Sequence, residues 1–164
     1  MRNNRNVVYI LLALIVVQCV VYYPILPDIL ASHFDWRGIP NGWQSKPWFF
    51  ITYLSMVILV YLIHVLGPWL VKHKRYRLVN IPNKDYWFSP ERAEKSTATI
   101  SAMLSRLSAV SLLFILSLIQ FVIIANLQPD IVLPSTWTGP LVGIFFVYLL
   151  LWIARILWRF RRRY

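Results

Sequence analysis

Cysteine, acidic residues and glycine are all scarce in this chain. Its 164 residues include one cysteine, six Asp and Glu together, and five glycines. The single cysteine, Cys19, lies in an apolar run. It builds neither a disulfide framework nor a zinc cluster, and it reads as a buried apolar thiol. Charged residues make up 14% of the chain, against about 25% in soluble domains. The hydrophobic share is 59%, above the roughly 45–50% of such domains. Together these values exclude a soluble globule and a disordered chain. No internal repeat is visible, and the length is that of one domain. The surplus apolar residues need a second solvent, and a bilayer supplies it.

Four apolar runs are present instead, at about 7–23, 47–71, 107–127 and 139–158. A helix of about 20 apolar residues crosses the hydrocarbon core. None of the runs alternates with period two, which excludes a membrane barrel. Arg2 and Arg5 precede the first run, as in a signal peptide. However, Val20, Val21, Tyr22 and Tyr23 are too large for a cleavage site, so an uncleaved helix is expected. The expectation is an all-α integral membrane protein, a single domain of four transmembrane helices. An outer loop (24–46) and a second loop (72–106) join the spans.

The positions of the cations orient this arrangement. Of the 17 Lys and Arg, only Arg37 and Lys46 fall on one side of the four runs. By the positive-inside rule, both termini are then cytoplasmic and 24–46 is extracytoplasmic. The split accounts for the formal net charge of +11 without a nucleic-acid partner. The expected partner is the bilayer itself, and the terminal arginines attract anionic headgroups. Tyr22, Tyr23, Trp43, Trp48 and Trp137 fall at the outer boundary. Trp69, Tyr76, Trp152 and Trp158 fall at the inner one, the depth that such rings prefer.

The outer loop is unusual. Pro24, Pro27 and Pro40 stop the flanking helices from extending into it. Gly38 and Asn41-Gly42 tolerate positive φ. Ile25, Leu26, Ile29, Leu30, Phe34 and Trp43 are too many apolar residues for a solvated linker, so a folded element on the membrane surface is expected. Several readings of its polar residues compete. His33, Asp35 and Asp28 have the chemistry of metal ligands but no spacing signature. His33 and Asp35 could serve acid–base work, but no nucleophile is legible. Both could instead satisfy turn backbone and pair with Arg37 or Lys46. The loop could also bind an extracytoplasmic partner. No metal, cofactor or catalytic residue is assigned.

Leu26-Pro27, His33-Phe34-Asp35, Gly38, Pro40-Asn41, Trp43 and Ser45-Lys46 resemble the signature of a family of small bacterial membrane proteins. In that family, known as a domain of unknown function, an LP…HF(D/N)…G.P(D/N).W.SK motif follows the first transmembrane helix. It is similar to the N-terminal part of the immunity proteins that protect bacilli against the sporulation-delaying toxin. Many members have proline two residues before the histidine, where this chain has Ala31. The longer immunity proteins continue with further helices. The resemblance implies a bacterial inner-membrane location and an immunity-like or regulatory role, exercised on a peptide or another membrane protein.

A second cluster, Asn80-Ile81-Pro82-Asn83-Lys84 with Tyr86-Trp87, resembles the N-(I/L)-P-N-(K/R)-x-Y-W motif of shorter members. Pro82-Asn83 reads as a turn, and Tyr86-Trp87-Phe88 as an interfacial dock. Ser89 reads as an N-cap, with Pro90 and Glu91 in the first helical turn. Asp85 is placed to pair with Arg92. No Gly or Pro follows Pro90 until Pro129, so one nearly continuous helix is expected over 90–127. Gln18, Ser55, His64, Ser111, Ser117, Gln120 and Asn126 are the polar residues within the spans, and no acid is among them. A transporter or channel subunit usually places ionisable groups in its pathway. That reading therefore ranks behind a non-enzymatic membrane protein, and a metal-dependent membrane enzyme ranks behind both.

Overall fold

The computed structural model describes residues 2–73 and 79–161, with side chains from residue 6 onward. Among the described residues, five helices and one hairpin follow in order: α1 (Arg2–Tyr22), β1 (Ile29–Phe34), β2 (Pro40–Ser45), α2 (Lys46–Lys72), α3 (Lys84–Trp87), α4 (Ala93–Asn126) and α5 (Ser135–Phe160). α2, α4 and α5 are each long and apolar enough to cross a membrane, and the described apolar stretch of α1, Asn6–Tyr22, is shorter. The protein is therefore a mostly helical membrane protein.

The expected all-α class needs one correction: the loop at 24–46 forms an antiparallel pair of strands. Neither strand announces itself. Pro40, Asn41 and Gly42 in β2 are poor strand formers, and β1 shows no clean alternation. Pro40 is tolerated because it opens its strand, where a missing N–H costs little.

α4 is the central element. Its 34 residues extend about 51 Å at 1.5 Å per residue, well beyond a hydrocarbon core of about 30 Å. It starts three residues later than the expected 90. Ser89 to Arg92 form a turn instead, in which the Ser89 carbonyl accepts the N–H groups of Arg92 and Ala93 at 3.0 and 2.9 Å.

α1 and α2 pack on α4 along one side. Val8, Leu11 and Ile15 meet Phe49, Phe50, Tyr53 and Val57 there, together with Leu112, Ile119 and Ile123 of α4. Leu26 and Leu30 extend this core under the hairpin. Where α2 crosses α4, a Cβ on Gly67 would fall 2.5 Å from Leu104 Cδ1, so a bare backbone permits the approach. α5 lies apart from this core. It touches α4 through the stacked rings of Phe145 and Phe114, 4.0 Å apart and 3° from parallel. Ile144, Leu150 and Leu151 remain largely exposed, as suits a face turned toward lipid rather than water.

Polar groups buried among the helices bond to one another. Tyr53 donates to Gln18 Oε1 at 2.5 Å, and Gln18 donates to Gln120 Oε1 at 2.8 Å. Gln120 in turn donates to the Tyr22 hydroxyl at 3.0 Å. This chain ties α1, α2 and α4 together at one depth, where an unpaired polar group would be costly.

Candidate functional site

The hairpin is built from residues 29–45 and fixed at three points. Its tip closes on Asp35. One carboxylate oxygen accepts the N–H groups of Arg37 and Ile39 at 2.8 and 2.9 Å, and the Asp35 N–H donates to the Ile39 carbonyl at 2.9 Å. The second oxygen lies 3.6 Å from Arg37 Nε. Asp35 thus satisfies turn backbone, the local role in which short acidic side chains excel. Gly38 has φ +84°, a conformation that a side chain rarely tolerates. Its carbonyl accepts the Leu133 N–H at 2.9 Å, which joins the tip to the α4–α5 connection.

The base is fixed by Lys46. Its ammonium donates to the Leu26 carbonyl at 2.8 Å and lies 3.2 Å from Asp28 Oδ1. The Lys46 N–H reaches the Asp28 carbonyl at 2.7 Å. The Lys46 side chain is mostly enclosed, while that of Asp28 is almost wholly exposed.

The middle is fixed by Asn126, near the end of α4. Its amide oxygen accepts the Ala31 N–H at 2.8 Å. Its amide nitrogen donates to the Ala31 carbonyl at 2.9 Å and to the Val122 carbonyl at 2.9 Å. Asn126 reads in the sequence only as a polar residue inside a span. Its position at the end of a helix beside the loop was the available signal.

The motif residues divide accordingly. Asp35, Gly38 and Lys46 hold the hairpin, and Phe34 packs against the core beneath it. Pro40 opens β2, and Pro27 is exposed in the connection from α1. His33 is exposed, and its imidazole has no hydrogen-bond or ion-pair partner among the described residues. Trp43 is 53% exposed, so it does not bury the apolar area expected of it. Trp36 at the tip is 83% exposed, with the Arg37 guanidinium 5.3 Å from its ring. Among the described residues, no three of His, Cys, Asp and Glu gather as metal ligands. Asp28 faces Lys46, Asp35 faces the turn, and His33 joins neither.

The second motif clusters at the opposite end of the helices. Asn83 takes a left-handed conformation, φ 51°, at the start of α3, and Pro82 precedes it in the turn. Asn80 is exposed. Trp87 donates through Nε1 to the Phe160 carbonyl at 2.7 Å, and their rings meet edge-on at 5.5 Å. Arg92 stands 4.3 Å over the Tyr86 ring. Its ion pair is with Glu91, at 3.8 Å, in place of the expected Asp85. Backbone and Ser89 hydroxyl hydrogen bonds hold the Glu91 carboxyl below its ordinary value. Pro90 lies exposed in the turn that carries these groups.

A family model described as a domain of unknown function (DUF1648) matches residues 10–59. The matched stretch runs from α1 through the hairpin into the first half of α2. No curated protein and no solved structure matches the chain.

Proposed function

We propose that this is a non-enzymatic protein of a bacterial inner membrane, with four spans and cytoplasmic termini, whose outer hairpin recognises an extracytoplasmic peptide or another membrane protein. The observation that carries the reading is the contrast within the hairpin. Its backbone is fixed at Gly38, Ala31 and Lys46, while His33, Trp36 and Trp43 stand outward with little to do for the fold and the Arg37 guanidinium lies beside the Trp36 ring. A rigid frame presenting aromatic and cationic side chains suits recognition, because little ordering entropy is lost on binding.

α1 supports the fourth span. Its apolar stretch, Asn6–Tyr22, reaches about 26 Å, close to the hydrocarbon thickness of about 30 Å, and its Gln18 shares a hydrogen-bonded network with α2 and α4. The uneven cation count supports the orientation. The resemblance of the loop motif to toxin-immunity proteins supports a peptide as the partner.

A photocrosslinking residue at Trp36 tests this in the native host, compared with one at lipid-facing Ile153. A discrete protein or peptide adduct from position 36 alone is expected. Lipid adducts alone, or equal protein adducts from both positions, would reject the recognition role.

A further inference from the structure

A small basic cavity lies where α3, the start of α4 and the end of α5 converge. Its volume is about 210 Å³, and it is lined by Trp87, Arg92, Lys95, Ser96, Thr99, Arg159 and Phe160. That is below the roughly 300–1,000 Å³ of sites for organic ligands, and it suits a single compact group.

Three cations meet there. Arg92 is engaged by Glu91 at 3.8 Å and by the Ser89 hydroxyl at 3.1 Å. Lys95 and Arg159 have no ion-pair partner among the described residues. The Arg159 guanidinium lies 5.7 Å from the Trp87 ring centroid, which orients it on the cavity wall. Thr99 spends its hydroxyl proton on the Lys95 carbonyl at 2.8 Å, leaving oxygen lone pairs free. Ser96 is only 4% exposed, yet its hydroxyl has no hydrogen-bond partner among the described residues. The residue lines a cavity whose surplus charge is positive, with its hydroxyl proton available to an anion.

We propose that this cavity binds a phosphate group, held by Lys95 and Arg159 with Ser96 donating a hydrogen bond. Charge-assisted bonds of this kind are the strong ones, and the planar guanidinium fits phosphate in bidentate fashion. The phosphate belongs either to an anionic lipid headgroup or to a free solute. The lipid source rests on the membrane reading above, and the solute source does not.

The test is thermal melting of the full chain in detergent, titrated with inorganic phosphate at constant ionic strength. Parallel titrations use phosphatidic acid, with phosphatidylcholine as the control. Saturable stabilisation by phosphate or by phosphatidic acid is expected. Lys95→Gln and Arg159→Gln should each weaken it about tenfold or more, and Ser96→Ala about fivefold. Lys72→Gln, a neutral replacement outside the cavity, should leave it unchanged. A response to both probes, or to free phosphate alone, supports the site with a soluble source available. A response to phosphatidic acid alone supports the site with lipid as the source and bears out the membrane reading too. No saturable shift with either probe, or equal weakening by Lys72→Gln, overturns the proposal, and the hairpin's role stands or falls separately.

Discussion

The side chain of Asn126 and the backbone of Ala31, 95 residues apart, exchange two hydrogen bonds of 2.8 and 2.9 Å. The amide of Asn126 offers one acceptor and one donor at the spacing of a peptide group. A helix end thereby acts as a one-residue third strand on the free edge of β1. An isolated two-stranded hairpin is marginal in water, and its open edge invites pairing with other chains. This pair of bonds addresses both problems.

Asn126→Ala should therefore be costly, because it leaves the Ala31 N–H and carbonyl unpaired where both are buried. Each orphaned group costs about 1–3 kcal/mol. Asn126→Asp keeps the acceptor and loses the donor, so it should fall between the wild type and Asn126→Ala. Melting temperatures of the three proteins in detergent check the order. Equal stability of all three would show that the hairpin stays docked without the amide.

Two glycines should behave in opposite ways. At Gly38 a Cβ would lie 2.1 Å from the Leu133 carbonyl oxygen, with φ +84°. Gly38→Ala should destabilise by more than about 1 kcal/mol. At Gly139, inside α5, a Cβ meets nothing within 4 Å. Gly139→Ala should be neutral or stabilise by up to about 1 kcal/mol. Circular-dichroism melts of the two variants should move apart, and a shift in the same direction would contradict this account.

His33→Ala and Trp43→Ala should each change stability by less than about 0.5 kcal/mol, as exposed positions usually do. One reading of the sequence had His33 satisfy turn backbone and counted Trp43 among the apolar residues of a folded loop, but both are exposed. Under the recognition reading, the double variant should fail to complement a deletion strain while melting like the wild type. A large drop in melting temperature would return both residues to a structural role.

Gln18→Leu breaks the chain from Tyr53 to Tyr22 at its centre. Interhelical hydrogen bonds in membranes average roughly 0.6 kcal/mol each. The loss should thus be modest, and Gln18→Leu with Gln120→Leu should cost less than the sum of the single variants. A double-mutant cycle by unfolding in mixed micelles measures this coupling. Full additivity would mean that the two amides act independently.

The orientation is tested by cysteine labelling in a Cys19→Ala background. Trp36→Cys should react with an impermeant thiol reagent in intact cells, and Lys95→Cys only after lysis. The reverse pattern would invert the topology.

The long apolar runs announce their helices because a bilayer demands length and uninterrupted hydrophobicity, and both are local properties of the chain. α2 and α5 tolerate Pro68 and Pro140 for the same reason, since solvent and length dominate the choice. The turn roles of Asp35 and Pro82-Asn83 were similarly legible, because an aspartate side chain acts on backbone two to four residues away and asparagine tolerates the left-handed conformation that Asn83 takes.

The hairpin was not legible as strands. Its sequence, from Ile-Leu-Ala-Ser-His-Phe to Pro-Asn-Gly-Trp-Gln-Ser, carries weak β preference and no alternation. It is strand because the other side of its ladder and the amide of Asn126 lie in place, and that is a matter of packing. The same holds at the opposite end of the helices. Trp87, Arg92, Lys95 and Ser96 are near in the chain, and the Ser96 N–H already meets the Arg92 carbonyl at 3.0 Å, but Arg159 joins them only because the end of α5 meets the start of α4. Solvent and local turn chemistry are written residue by residue. The partners of a buried amide or a basic cavity are set by which distant backbones come within hydrogen-bonding distance, and only the tertiary structure decides that.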